Sequence, residues 1–95
     1  MAPNFRISVR RDSGSLHLNL AGDFDGSSAF ELLNALNDNM DGPCRVIIQT
    51  DSLKNTHPFG TRILENHLRG FERRGCEIIF TGEKAKAIDR ERMSI

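Results

Sequence analysis

The chain has 95 residues, 13 basic against 13 acidic for a formal net charge of zero, with 38% hydrophobic residues, six Phe, eight Gly and neither Trp nor Tyr. That is enough for one domain with its own core and too little for two, and the composition excludes a disordered or fibrous chain. Without a net positive field, binding to nucleic acid or to an anionic membrane surface is not expected.

No apolar stretch approaches the roughly 20 residues of a membrane span, and the first residues lack the charged-then-apolar pattern of a secretion signal. The expected place is therefore the cytoplasm, with no direct membrane insertion. Cys44 and Cys76 each open an apolar run, far from any metal-ligand spacing. Two buried, reduced thiols are the expectation in such a compartment.

Phe5, Ile7 and Val9 alternate with Arg6, Ser8 and Arg10, which predicts a strand over 5–10 with one buried face. The turn formers Asp12 to Ser15 follow, and Leu16, Leu18 and Leu20 then alternate with polar or small residues over 16–21. The two strands should form a hairpin with His17 on the polar side. Gly22 to Gly26 breaks the second strand, and Ser28 with Glu31 three residues on has capping-box spacing, so a helix is expected to begin near Ser28. Its apolar stripe, Ala29, Leu32, Leu33, Leu36 and Met40, ends at Asp41-Gly42-Pro43.

Val46 to Ile48 lacks alternation, as expected of a central strand over 44–49 covered on both faces. A polar loop should follow, and then a helix carrying Ile63, Leu64, Leu68 and Phe71, closed by Gly75. Its polar side, with Arg62, Glu65, Arg69, Glu72 and Arg73, reads as a solvated face. Ile78 to Phe80 predicts a buried strand over 76–81 parallel to the previous one, and Glu83 to Arg92 a last short helix before a frayed end. Strands 16–21, 44–49 and 76–81 should run parallel, with 5–10 antiparallel to one of them. The fold class is thus α/β, one domain over 1–95, a mixed and mostly parallel sheet of about four strands with an N-terminal hairpin and about three helices.

In open α/β sheets the functional surface lies beyond the carboxyl ends of the strands, which places the working face at residues 51–62. No enzyme chemistry assembles there. His57 and His67 do not have the spacing of a helix-borne metal pair, Asp23 and Asp25 are accounted for by turn and cap duties, and Gly22 to Gly26 lacks both the dinucleotide fingerprint and the P-loop pattern. Neither a metal nor a cofactor is expected. The most informative segment is His57-Pro58-Phe59-Gly60, where Pro58 suits the first helical position and makes His57 the N-cap. Phe59 then falls in the first turn, either packed under a loop or standing out as a contact anchor.

This order of elements, with these residues, resembles the STAS family, the sulfate-transporter and anti-sigma-factor-antagonist domain. Leu18 to Asp25 looks like the family strand that ends in Gly-Glu-Leu-Asp, with Asp25 at the family aspartate. Val46 to Ile48 looks like the central strand, Leu53 like the apolar residue after it, Gly60 like the glycine closing Asp-Ser-Ser-Gly, and Cys76 to Phe80 like the next strand. In the bacterial antagonists of that family, the second serine is phosphorylated by a kinase that is also the anti-sigma factor, and the charge releases the complex. Here Pro58 and Phe59 carry no hydroxyl, so that switch cannot operate at its family position. Ser52, Thr56 and Thr61 are the candidate substitutes. Gln49 replaces the aspartate at the end of the central strand, and Asn55 and Thr56 replace the apolar residues before the motif.

The resemblance implies a non-catalytic protein-interaction module whose partner side comprises Asp25, Thr56, His57, Pro58, Phe59, Gly60 and Arg62. The implied partner is an anti-sigma factor or serine-kinase-like regulator, with a second copy of the chain as another. Two alternatives stay open. One is an accessory STAS subunit of a membrane transport complex, which would hold a transporter subunit. The other is a small-molecule sensor domain with a ligand at the helix start.

Overall fold

The computed structural model describes residues 4–39 and 44–88. Four strands form one sheet in the order β1-β2-β3-β4: β1 (Arg6–Asp12), β2 (Ser15–Phe24), β3 (Cys44–Thr56) and β4 (Cys76–Thr81). β1 is antiparallel to β2, while β2, β3 and β4 are parallel, as the sequence pattern predicts. The parallel strands are linked by α1 (Gly26–Asn39) and α2 (Pro58–Arg73), and a single turn of helix, α3 (Ala85–Ile88), follows β4. The expected end of the first helix at 40–43 and the last residues of the expected final helix, 89–92, lie outside the described residues, as does the end at 93–95. Among the described residues no helix is long and apolar enough to cross a membrane.

The core is a single layer between the sheet and the helices. Leu16, Leu18, Leu20 and Phe24 of β2, Val46 and Ile48 of β3, and Ile78 and Phe80 of β4 meet Leu32, Leu36, Leu64 and Leu68 of the helices, all buried. The register lines up Leu18, Ile48 and Phe80 in one row and Leu16, Val46 and Ile78 in the next, so every such row faces the helices. Among the described residues, nothing covers the other face. Arg45, Gln49 and Glu77 are exposed on it and Ile47 and Ile79 half-buried, which corrects the expectation that 46–48 is covered on both faces. An unbroken apolar run is therefore not two-sided burial here: Ile47 and Ile79 are neighbours in register and shield one another. On the edge strand the inward pattern also thins, from buried Phe5 through half-buried Ile7 to Val9 at 45% exposure, because the helices lie over β2 to β4.

The polar loop expected after residue 49 is strand. β3 continues to Thr56 by means of two register shifts, from Asn19↔Gln49 to Ala21↔Ser52 and from Gly22↔Leu53 to Asp23↔Asn55. Each adds one residue to β3, the signature of a bulge, and the first resets the alternation so that Leu53 turns into the core. β2 likewise runs through Gly22 to Phe24 instead of breaking at 22. The bulged stretch is tied down by side chains: buried Thr50 donates its hydroxyl to the Thr81 carbonyl at 2.7 Å. The Asp51 carboxylate accepts the Gln49 amide at 3.1 Å and the Glu83 backbone N–H at 2.9 Å.

This reassignment makes a measurable difference. Leu53→Ala should cost about 2–5 kcal/mol of unfolding free energy, whereas Lys54→Ala, on an exposed side chain one residue on, should stay within about 0.5 kcal/mol. Urea titration of both variants decides it, and equal small losses would restore the loop.

Candidate functional site

β2 and β3 end at the same level, Phe24 opposite Thr56, and the His57 N–H donates to the Phe24 carbonyl at 2.8 Å. Both chains then enter helices at once, so the first turns of α1 and α2 stand side by side. Asp25 caps α1: its carboxylate accepts the Ser28 N–H at 2.9 Å and the Ser28 hydroxyl at 3.0 Å, and its carbonyl accepts the Ala29 N–H at 3.0 Å. The Ser28 hydroxyl also reaches the Asp23 carbonyl at 2.8 Å. This corrects the expected capping box. Ser28 sits fully buried inside the helix and Glu31 is exposed, because the helix begins two residues earlier with an aspartate as its cap.

The Ser28 backbone N–H, foremost, holds the Asp25 carboxyl below its usual value against the opposing effect of burial, with smaller help from the Ser28 hydroxyl and from His57. At α2 the sequence expectation is met: His57 is the N-cap in an extended conformation, φ −100° and ψ 133°, and Pro58 is the first helical residue. The His57 carbonyl accepts the Gly60 and Thr61 N–H groups at 2.9 and 3.2 Å. Nearby, the Asn55 amide donates to the Asp23 carboxylate at 2.8 Å, joining the last pairs of the two strands.

Two glycines set the spacing of the helix starts. A methyl group on Gly60 would stand 2.5 Å from the Asp25 carbonyl oxygen, and one on Gly26 would stand 2.9 Å from two ring carbons of Phe59. At Gly60 only hydrogen fits, because the obstacle is the Asp25 backbone; at Gly26 the obstacle is the Phe59 ring, which a side chain there would displace. Phe59 thus lies across the first residue of α1 while remaining 69% exposed. Of the two sequence readings of Phe59, the ring packed inward is excluded.

The structure gathers Asp25 with Thr56, His57, Pro58, Phe59 and Gly60, and Arg62 is exposed one turn along α2. The three hydroxyl candidates scatter. Ser52 is exposed among residues of the uncovered sheet face, where it borders a shallow cavity of about 510 Å³ with His17, Asn19 and Gln49. Thr61 is buried and donates to the Pro58 carbonyl at 2.9 Å. Thr56 alone is both half-buried and next to the patch.

Gly26 and Phe30 escaped sequence reasoning. Phe30, 51% exposed, meets the His67 ring edge-on at a centroid distance of 6.3 Å. Its signal was available, since it falls one position off the apolar stripe of α1 at Ala29, Leu32, Leu33 and Leu36.

No family model and no curated sequence matches the chain. Among solved structures the fold is similar to an anti-sigma-factor antagonist STAS domain from Rhodobacter sphaeroides, with TM-score 0.65 and 17% identity over 84% of this chain and 88% of that one. It is also similar to an anti-sigma factor antagonist from Mycobacterium paratuberculosis, with TM-score 0.67 and 19% identity over 95% of this chain and 85% of that one. A third likeness is to part of Mglu, with TM-score 0.73 and 21% identity over 81% of this chain; the chain spans only 19% of that protein. The fold is STAS-like, as the sequence resemblance implies.

Two outcomes test this geometry. Gly60→Ala should destabilise by about 1–3 kcal/mol through the clash with Asp25, whereas Gly70→Ala on the same helix, where an added methyl meets nothing within 4 Å, should be neutral or stabilising by up to about 1 kcal/mol. Asp25→Ala should cost about 0.5–2 kcal/mol near neutral pH. Because the folded carboxyl titrates lower than the unfolded one, this contribution is complete above the ordinary carboxylate range and is lost as pH falls through the folded value. Urea midpoints of wild type and variant should therefore converge in acid; a constant gap would show that the charge of Asp25 is not what the cap uses.

Proposed function

We propose that this chain is a cytoplasmic, non-catalytic protein-interaction module of the STAS type, engaging a regulatory protein partner through Thr56 to Arg62 with Asp25 beside them. The observation that carries this reading is Phe59: a large aromatic ring 69% exposed at the junction of two helix starts. Hydration of such a ring is unfavourable, and interface energy concentrates in aromatic anchors that become buried on binding. At the position where the family places a phosphorylated serine, a ring supports constitutive apolar contact, and a phosphate switch, if this chain has one, falls to another hydroxyl. Thr61 is disfavoured for that role by its buried, bonded hydroxyl, which leaves Thr56 and Ser52.

Phe59→Ala should weaken capture of the partner by about 2 kcal/mol or more while leaving the thermal midpoint within a few degrees of wild type. Quantitative pull-down from the native host, with mass spectrometry of the captured protein and of this chain, reads all the relevant quantities. Unchanged capture would remove Phe59 from the interface. Stoichiometric phosphate on Thr56 or Ser52 would mean that the switch has moved, and a captured transporter subunit would assign the module to a transport complex.

A further inference from the structure

The chain contains two cysteines, separated in sequence by the whole of α2, and the sheet brings them together. Cys44 opens β3, Cys76 opens β4, and the two are direct partners in the parallel register of these strands. The next row pins that register: Arg45 stands opposite Glu77, and their side chains form an ion pair at 2.9 Å. In the row after it, Val46 and Ile78 are buried against the helices. Because successive positions of a strand alternate between faces, positions 44 and 76 belong to the same face as Val46 and Ile78, and Cys76 is buried there.

From this juxtaposition we infer that Cys44 and Cys76 are a redox-sensitive pair, a dithiol that hydrogen peroxide converts into a disulfide across the starts of β3 and β4. Neighbouring strands lie about 4.8 Å apart, within the roughly 4.4–6.8 Å between Cα atoms that a disulfide spans. The fold therefore needs no rearrangement of its strands to admit the bond. Cys76 carries no disulfide and the chain has no third cysteine, so the dithiol is the resting form. Where thiols are kept reduced, disulfides that do form are characteristically transient and redox-sensing.

The chemistry uses the two thiols and the peroxide alone. One thiolate attacks the peroxide: an S–O bond forms as the O–O bond breaks, giving a sulfenic acid and a hydroxide that takes up the thiol proton as water. The second thiol then displaces the sulfenic oxygen, so that the S–S bond forms, the S–O bond breaks, and a second water leaves with the other thiol proton. The two thiols lose two electrons in all, and the peroxide takes both. A small, uncharged oxidant suits the place. Cys76 is only 5% exposed, but it is the first residue of the last strand in the sheet order, so opening of that strand end gives access.

The bond closes a loop that contains all of α2. Such a link restricts the unfolded chain more than the folded one, so the disulfide and the native fold stabilise each other. The pair sits at the strand starts, away from the junction of Phe24 with Thr56 where the strands end, and does not depend on the partner reading.

Hydrogen peroxide added to the dilute, reduced chain should remove the mass of two hydrogen atoms, and peptide mapping without reductant should join the peptides that hold Cys44 and Cys76. Dithiothreitol should restore the original mass. In a glutathione redox buffer the disulfide should be at least about tenfold more stable in the native chain than in concentrated urea, and the oxidised chain should keep its circular dichroism spectrum. Uptake of oxygen without a cross-link, bonds only between separate chains, or a disulfide no more stable in the native chain than in urea would each overturn the inference. Loss of the native spectrum on oxidation would overturn it as well.

Discussion

The contact on which the site depends is the approach of Gly60 to the backbone of Asp25. A methyl group would come within 2.5 Å of the Asp25 carbonyl oxygen, so the two helix starts can stand this close only where position 60 has no side chain. Close packing is possible because the strands that feed the helices end level, with the His57 N–H bonded to the Phe24 carbonyl. They end level because β3 takes up two extra residues along β2. The bulges, the glycines and the Asp25 cap thus serve one geometry.

That geometry explains how an apolar ring comes to be presented outward. α2 needs its Leu64, Leu68 and Phe71 against the sheet, and helical spacing then rotates Phe59 towards α1. There the position is already occupied by the first turn of α1, and with only a hydrogen on Gly26 the ring lies over the backbone instead of entering the core. Asp25, whose carboxyl the Ser28 N–H holds below its usual value, provides a negative charge next to this apolar surface. In the interface proposed above, the ring beside this carboxylate, with the exposed Arg62 one turn away, would combine an anchor with polar groups that set orientation. The uncovered sheet face is different in kind: its residues are largely polar, its cavity is shallow, and none of its apolar residues is a ring.

Much of this was legible beforehand. Period-2 alternation in β2 and helical spacing in α1 and α2 reflect one-sided burial directly, and Pro58 placed the start of α2 to the residue. Other readings failed. Ser28 and Glu31 form a correct local pattern that a better-placed cap, Asp25, overrides. Asp51 to Thr56 are polar and read as loop, yet strand pairing satisfies their backbone and only Leu53 needs the core. Ile47 and Ile79 looked doubly buried because two apolar neighbours can shelter each other without a covering layer. The cap was missed within a single turn of chain, but the bulged strand and the Ile47–Ile79 pair involve residues far apart in the sequence, as do the Gly26–Phe59 and Gly60–Asp25 contacts that build the site.

Amide hydrogen exchange on the dilute chain, free and saturated with the captured partner, tests the central claim most directly. The account predicts joint protection of residues 24–27 and 56–62, two segments distant in sequence and adjacent only through the paired helix starts. Protection confined instead to the uncovered sheet face, at residues 8–10, 17–19 and 47–49, would contradict it.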